Sequence, residues 1–276
     1  MIERSDRLEK ELRLDKFLAD MAQGSRSRIR TMAKNGLIAV NGVTEKRPER
    51  KIRLPHDVVT LAGKQVFYTD MEYFMLNKPA GVVSATEDKR HKTVIDLIDT
   101  QSRRDLFPVG RLDLDTEGLL LLTNDGALAH RLISPKKHVD KVYVAECLGE
   151  VPKTAVRTFA EGLTLSDGLR CLPAELVISE VRQRTAADEV RSLAGGILPA
   201  ADDTSSACGP GDKITTVRLT IHEGKFHQVK RMMEAVGCPV LSLKRLSVGP
   251  LMLDPGLSPG AYRRLTKEEV ELLKQL

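Results

Sequence analysis

The sequence predicts an α+β fold made of two domains with different tasks. Apolar segments with strand and helix spacing follow one another along 276 residues, without the regular strand–helix–strand repeat of a parallel α/β protein. Residues 1–65 hold 15 Lys and Arg and 9 Asp and Glu, a net of 15 − 9 = +6, whereas the rest holds 28 and 29, a net of −1. This asymmetry indicates either a polyanion-binding module joined to a second domain or a merely solvated basic surface.

The composition excludes several classes of protein. With 41% hydrophobic residues the chain can bury a core, yet its longest apolar runs, such as Leu119 to Leu122, are far too short to cross a membrane. The N-terminus has no apolar signal core. The four cysteines stand far apart and form no CxxC pair, so they indicate neither a disulfide framework nor a zinc site. These are Cys147, Cys171, Cys208 and Cys238. We therefore expect a cytoplasmic protein that binds no membrane and no metal.

The basic N-terminal segment predicts two short helices followed by strands. Residues 14–22 place apolar side chains at helical spacing. Ser25 is a suitable N-cap for a second helix, and Gly36 is suited to end it. A strand then leads to Asn41 and Gly42, a pair that strongly favours a tight turn.

Four basic side chains of the second predicted helix are assigned to contacts with nucleic acid. These are Arg26, Arg28, Arg30 and Lys34. Three of them recur at i, i+4 and i+8 and therefore form one stripe beside the apolar face. A second basic cluster follows between Lys46 and Arg53. Such surfaces suit contacts with phosphates, which position a protein on nucleic acid without reading its sequence.

The same segment, RLDKFLADMAQGSRSRIRTMAKNGLIAVNG, resembles the S4 RNA-binding domain. The resemblance covers about residues 12–65. It implies RNA binding and says little about chemistry. We assign residues 1–66 to this domain and residues 71–276 to a second, larger one.

The larger domain mixes strands and helices irregularly. The predicted strands are Tyr73 to Asn77, the apolar part of Val109 to Thr123, Val139 to Cys147 and Ile214 to Ile221. The predicted helices are Ala127 to Ile133 and Phe226 to Val236. Residues 181–213 are rich in Ala, Gly, Asp and Ser and have no steady period, so we expect a loop-like insertion there.

The larger domain carries no familiar cofactor motif. The sequence lacks the phosphate-loop, dinucleotide-binding, zinc-hydrolase and serine-hydrolase signatures, and its six histidines do not cluster at ligand spacing. We therefore expect no nucleotide cofactor. In GRLDLDTEGLLLLTNDG, Asp113 and Asp115 lie two residues apart beside Arg111. From the residues alone, this is either a charged turn before a buried strand or a carboxylate pair for acid–base or nucleophilic chemistry.

That string closely resembles the central motif of the pseudouridine synthases of the RsuA type. Four other segments match the family's motifs in order: MLNKPAG, SPKKHVDKVYV, IHEGKFHQVKRMMEAVG and LSPGAYRRLT. Two features depart from the family pattern, the insertion and the pair Lys225 and Phe226 where Arg-Tyr is common. The resemblance implies a catalytic domain built on a mixed, mainly antiparallel sheet with flanking helices.

The resemblance also implies a reaction and the residues that perform it. The enzyme would isomerise one uridine of RNA to pseudouridine without any cofactor. Asp113 would act at the sugar, Lys230 would hold Asp113 ionised, and Tyr143 would lie against the flipped base. Arg111 would touch RNA near the vacated position, and Lys78 of the first motif is also assigned to RNA binding.

Two of the segments, SPKKHVDKVY and EGKFHQVKRM, resemble the branch that acts on bacterial 16S rRNA, the pseudouridine-516 type. The expected partner is therefore small-subunit rRNA in an assembly intermediate, and the expected state is a monomer. A synthase for 23S rRNA and a non-catalytic S4 protein of ribosome assembly stay open as alternatives. A glycoside hydrolase is disfavoured, because the chain has no Trp and only 4% aromatic residues.

Overall fold

The computed structural model describes residues 10–99, 105–185, 188 and 213–276. The chain divides into two compact units. One comprises Met1–Glu72 with Ile98–Leu106, and the other Tyr73–Leu97 with Phe107–Leu276. Both units combine helices with mainly antiparallel strands, which confirms the α+β class.

The described residues of the first unit form two helices and two small antiparallel sheets. The helices are α1 (Leu14–Asp20) and α2 (Arg26–Lys34). The strands are β1 (Lys10–Arg13), β2 (Ile38–Val40), β3 (Val43–Thr44), β4 (Lys51–Leu54), β5 (Val59–Leu61) and β6 (Lys64–Val66). β1 pairs with β4, and the other four strands form a sheet in the order β3-β2-β5-β6.

Local sequence signals account for these N-terminal elements. The Ser25 hydroxyl accepts a hydrogen bond from the Arg28 backbone N–H at 3.3 Å and so caps α2 as predicted. The turn between β2 and β3 is also confirmed, since Asn41 and Gly42 both adopt positive φ, at 54° and 79°. The apolar side of α2 buries Ile29 in the core of this unit.

The second unit is built on one large sheet with the strand order β11-β12-β10-β13-β9-β7-β15. Its strands are β7 (Tyr73–Lys78), β8 (Phe107–Pro108), β9 (Glu117–Thr123), β10 (Lys141–Leu148), β11 (Glu175–Gln183), β12 (Lys213–Ile221), β13 (Val240–Val248), β14 (Leu251–Met252) and β15 (Tyr262–Arg264). Its helices are α3 (Gly126–Ile133), α4 (Thr154–Glu161), α5 (Gln228–Glu234) and α6 (Lys267–Lys274). Short 3-10 turns cover Ile95–Leu97 and Pro135–Lys137.

The middle of this sheet contains its one parallel junction among the described strands, between β13 and β9. Gly118 pairs with Arg245 there and has a φ of +100°. A Cβ at position 118 would lie 2.2 Å from the Arg245 carbonyl oxygen, so the two backbones approach as closely as they do only because this residue is glycine. The junction sets the start of β9 beside the middle of β13.

The loop expected over residues 181–213 is contradicted at its two ends, where the chain forms strands. Its first residues, Val181 to Gln183, continue β11 and pair with Lys213 to Thr215 of β12. The Arg182 guanidinium donates to Glu146 at 3.0 Å and to Asp188 at 2.7 Å, which ties the end of β11 to the sheet. Residues 186–187 and 189–212, on which most of the insertion prediction falls, lie outside the described residues.

Within the described ranges, the longest helices are of eight or nine residues, and none is long and apolar enough to cross a membrane.

Candidate active site

A pocket of about 130 Å³ opens in the second unit, where the loop before β9 meets β10, β13 and the start of α5. It is smaller than the roughly 300–1,000 Å³ of sites that enclose drug-sized ligands, so it fits one planar base better than a longer ligand. The polar side chains that line it include Arg111, Asp113, Lys141, Tyr143, His227 and Arg245. Asp113 and Tyr143, which the sequence assigns to catalysis, therefore share one cavity.

Backbone contacts hold the loop that carries Asp113. The Ser84 hydroxyl donates to the Leu112 carbonyl at 2.9 Å and lies 3.0 Å from the Leu112 N–H, which donates to it. The Gly81 N–H donates to the Leu114 carbonyl at 2.8 Å. The Thr116 N–H closes a turn onto the Asp113 carbonyl at 3.1 Å. The Asp113 carboxylate, 29% exposed, is thus presented to the pocket from a fixed backbone.

The structure contradicts the prediction that Lys78 binds RNA. Its side chain is fully buried, and its ammonium donates to the carbonyls of Pro79, Leu114 and Thr116 at 3.0, 3.3 and 2.8 Å. Burial lowers its pKa to about 8, although the charges of Asp115 and Asp113 act in the opposite direction. A buried ammonium whose hydrogen bonds all go to carbonyls of this loop cannot contact a phosphate. Lys78 instead fixes the loop that carries Asp113.

Lys230 approaches both carboxylates, but not equally. Its ammonium lies 2.6 and 2.7 Å from the two oxygens of Asp115, and 3.8 Å from Oδ2 of Asp113. Partial burial would raise the pKa of Asp115, yet the hydrogen bond and charge of Lys230 lower it below its ordinary value. Asp115 therefore holds the Lys230 ammonium by direct contact. The positive charge of Lys230 acts on Asp113 from a longer distance.

His227, one of the six histidines that do not cluster at ligand spacing in the sequence, is a neighbour of Asp113. Its Nε2 lies 3.5 Å from Oδ1 of Asp113. It precedes α5 with φ +49° and ψ +32°, a left-handed conformation that is uncommon for a residue other than glycine. This conformation directs its ring into the pocket lining.

Tyr143 lies in β10, where burial alternates along the strand, and only 7% of it is exposed. Its hydroxyl lies 3.5 Å from Nη1 of Arg245, which pairs with it across β10 and β13. Arg245 is almost fully buried, and its Nε donates to the Leu119 carbonyl at 2.8 Å. The parallel junction at Gly118 therefore positions the guanidinium that contacts Tyr143.

A second buried cation, Lys141, lies two residues before Tyr143 on the same side of β10. Its ammonium donates to the Val139 carbonyl at 2.8 Å. Burial lowers its pKa to about 8, and the positive charge of Arg245 acts in the same direction. Lys141 and Arg245 together make this part of the pocket electropositive.

The residues assigned to RNA binding fall in different places. Arg111 is exposed and lines the pocket. The four basic side chains of α2 are exposed on the first unit; they are Arg26, Arg28, Arg30 and Lys34. The second basic cluster is partly neutralised, since Arg47 and Arg50 pair with Glu45 at 3.2 and 2.9 Å. Hydrogen bonds from Arg47 are the main reason why the pKa of Glu45 falls to about 2.

Three pocket residues were missed by the sequence interpretation: Lys141, His227 and Arg245. Lys141 and His227 stand inside family motifs, so their position in KVYV and KFHQVK was the available signal. Arg245 lies outside them, and only the pairing of β13 with β9 and β10 brings it to Tyr143. Among the described residues, no group of three or more His, Cys, Asp or Glu could hold a metal ion.

Known proteins are similar to this chain in both sequence and fold. Residues 72–235 match the family described as RNA pseudouridylate synthase, and residues 12–59 match the S4 domain. The uncharacterised RNA pseudouridine synthase YtzG of Bacillus subtilis is 41% identical, over 96% of this chain and 99% of that protein. The ribosomal small subunit pseudouridine synthase A of Vibrio cholerae is 36% identical, over 94% and 98%. A crystal structure of a pseudouridylate synthase superimposes with a TM-score of 0.58 at 33% identity, over 95% and 99% of the two chains.

Proposed function

Because the chain belongs to the RNA pseudouridylate synthase family, we propose that it converts one specific uridine of bacterial small-subunit rRNA to pseudouridine. Full-length similarity to proteins named ribosomal small subunit pseudouridine synthase A supports the choice of RNA. The pseudouridine-516 type is the proposed position. We further propose that the protein works in the cytosol, as a monomer, on an assembly intermediate and without a cofactor.

The observation that carries the proposal is a carboxylate and a tyrosine in one base-sized pocket, with a lysine beside the carboxylate. Pseudouridine formation breaks the bond between uracil N1 and the sugar carbon C1′. Asp113 would supply electron density to C1′ while the bonding pair leaves with uracil. The base then turns, and C5 bonds to C1′. The proton that C5 loses is balanced by the proton that N1 gains.

The other pocket residues have roles that follow from charge and position. Uracil carries negative charge after the bond to N1 breaks, and buried cations stabilise such charge strongly in a water-poor site. Arg245 and Lys141, the two buried cations of the pocket, would perform this task. Tyr143 would stack on the base and relay a proton. Arg111, exposed at the pocket, would contact RNA beside the space that the flipped base leaves.

The alkaline limb of the pH–rate profile tests the role of Lys141. Its pKa of about 8 means that the charge is present below that pH and is lost above it. We expect activity to fall above about pH 8. Because arginine stays charged, Lys141→Arg should keep activity at neutral pH and move this limb to higher pH.

Lys78 has a pKa of similar value, also lowered by burial, and could cause the same limb. It is present in both proteins, so an alkaline limb that stays in place in Lys141→Arg would show that loss of the Lys141 charge does not cause this limb. The measurement is the single-turnover rate of pseudouridine formation between pH 6 and pH 10, roughly the range spanning both charge states.

The first unit would supply affinity for RNA through the exposed basic stripe on α2. Removing one side chain that binds a phosphate should lower the slope of log Kd against log salt by roughly 0.7–0.9. We expect a triple variant, Arg26→Gln, Arg30→Gln and Lys34→Gln, to lower the slope by about three times that amount. Lys16→Gln is the matched control, because Lys16 is already paired with Asp20 at 2.9 Å on α1. A triple variant with unaltered salt dependence would show that α2 does not face RNA.

The proposed function is tested with purified protein on 16S and 23S rRNA transcripts, each supplied both naked and partly assembled with ribosomal proteins. Pseudouridine is mapped by its specific chemical modification and stalled reverse transcription. We expect one modified position in 16S rRNA. Modification of 23S rRNA would transfer the proposal to the large subunit. Tight binding without pseudouridine in either RNA would favour a non-catalytic assembly protein.

A further inference from the structure

A pair of stacked aromatic rings stands beside the pocket. The rings of Phe226 and His227 are 3.8 Å apart at an interplanar angle of 18°. His227 lines the pocket and lies 3.5 Å from Asp113, whereas Phe226 is 70% exposed. The pair, called here the Phe226–His227 shelf, therefore leads from the carboxylate to the protein surface.

Hydrogen bonds to the buried side chains of Glu223 and Gln228 hold the loop that carries the shelf. Glu223, only 5% exposed, accepts hydrogen bonds from the Leu172 N–H and from the Gln228 side chain, both at 2.9 Å. Its other oxygen lies 3.0 Å from the Lys225 ammonium. The Gln228 side chain in turn accepts from the Lys225 N–H at 3.0 Å.

Such support has a consequence for binding. A ligand that stacks on a fixed ring does not first have to order the side chain, so less of the binding free energy is lost to ordering. An exposed phenylalanine on a mobile loop would not by itself indicate a binding site, because isolated apolar side chains are common at protein surfaces. Phe226 differs from such a side chain, because its loop is held by a buried hydrogen-bond network and it lies next to a base-sized pocket. These two features indicate that its exposed ring binds a ligand.

We propose that the Phe226–His227 shelf binds a nucleobase of the substrate RNA that neighbours the target uridine, by stacking on the exposed face of Phe226. This inference rests on the proposed function, because the target has to leave the helical stack to reach Asp113. Its departure strips the neighbouring base of a stacking partner. Phe226 supplies a replacement surface next to the pocket. A phenyl ring donates no hydrogen bond, so the shelf contributes affinity and accepts any of the four bases.

The test measures the Kd of the full-length protein for a 16S rRNA transcript by fluorescence anisotropy. We expect Phe226→Ala to weaken binding by roughly 5- to 150-fold, the range that stacking of one base on an aromatic side chain contributes. Phe226→Leu keeps an apolar side chain without a ring and should lose most of this affinity, whereas Phe226→Tyr should keep it. Leu272→Ala is the matched control, because Leu272 is an exposed apolar residue of the same unit, on α6.

A second arm locates the base. In an rRNA fragment that contains the modified uridine, each flanking nucleotide is replaced in turn by an abasic one. One replacement should weaken binding of the wild type and leave Phe226→Ala almost unaffected. Equal losses in both proteins at every position would overturn the shelf, as would a Phe226→Leu variant that binds like the wild type.

Two further outcomes separate the shelf from the proposed function. Pseudouridine formation by the wild type together with normal RNA binding by Phe226→Ala would overturn the shelf alone. A wild type that neither binds nor modifies rRNA would overturn both. Weaker binding by Phe226→Ala to small-subunit particles that no abasic replacement near the target reproduces in the wild type would show that Phe226 contacts a ribosomal protein, which also contradicts a nucleobase site.

Discussion

Asp113→Asn should give a folded protein that binds rRNA with nearly normal affinity and forms no detectable pseudouridine. The side chain lies on a loop whose backbone is held by Ser84, Gly81 and Lys78, so an isosteric amide should leave the pocket in place. An amide cannot supply the electron density that C1′ needs. We expect a loss larger than the roughly 10²–10⁴-fold typical of a general acid or base, because the bond-breaking step itself depends on this group.

The measurement for Asp113→Asn is the single-turnover rate at saturating RNA, beside the Kd for the same RNA. Asp115→Asn is the matched control, since it is the neighbouring carboxylate and contacts Lys230 more closely than Asp113 does. It should retain most of the activity. A purified Asp113→Asn protein with near-normal turnover, or an Asp115→Asn protein with the larger loss, would reverse the assignment of the two carboxylates.

Lys230→Met should show the second-largest loss of activity. Its positive charge lies 3.8 Å from Oδ2 of Asp113. Removal of an oriented cation from a catalytic site typically costs roughly 10²–10³-fold in rate. The measurement is the single-turnover rate at saturating RNA, beside the Kd for the same RNA.

Lys230→Arg checks whether the positive charge is what matters. It keeps the charge and should recover part of the rate that Lys230→Met loses, although the fork of arginine fits differently. A Lys230→Met protein with near-normal turnover would contradict a role of this charge in the reaction.

The elements that the sequence predicts well depend on local signals. The N-cap at Ser25 and the turn at Asn41 and Gly42 involve contacts between residues at most three apart. Asp113 was assigned to catalysis because its motif is long and ordered with four others. Each of these signals is complete within one stretch of chain, and no distant pairing has to be known.

What the sequence did not predict depends on distant pairing. Lys78 looks like a surface lysine until the carbonyls of Leu114 and Thr116, 36 and 38 residues away, surround its ammonium. The contact of Arg245 with Tyr143 needs the strand junction at Gly118. The ion pair between Asp115 and Lys230 joins residues 115 positions apart. No periodicity or capping rule specifies such contacts.

The central claim, that this chain makes pseudouridine in small-subunit rRNA through Asp113, is tested most directly in cells. Pseudouridine is mapped across the rRNA of a strain that lacks the gene, and of the same strain carrying the wild-type or the Asp113→Asn gene. The account predicts one small-subunit position that is unmodified in the deletion strain, restored by the wild type and not restored by Asp113→Asn. A small-subunit rRNA with unchanged pseudouridines in the deletion strain, or restoration by Asp113→Asn, would contradict it.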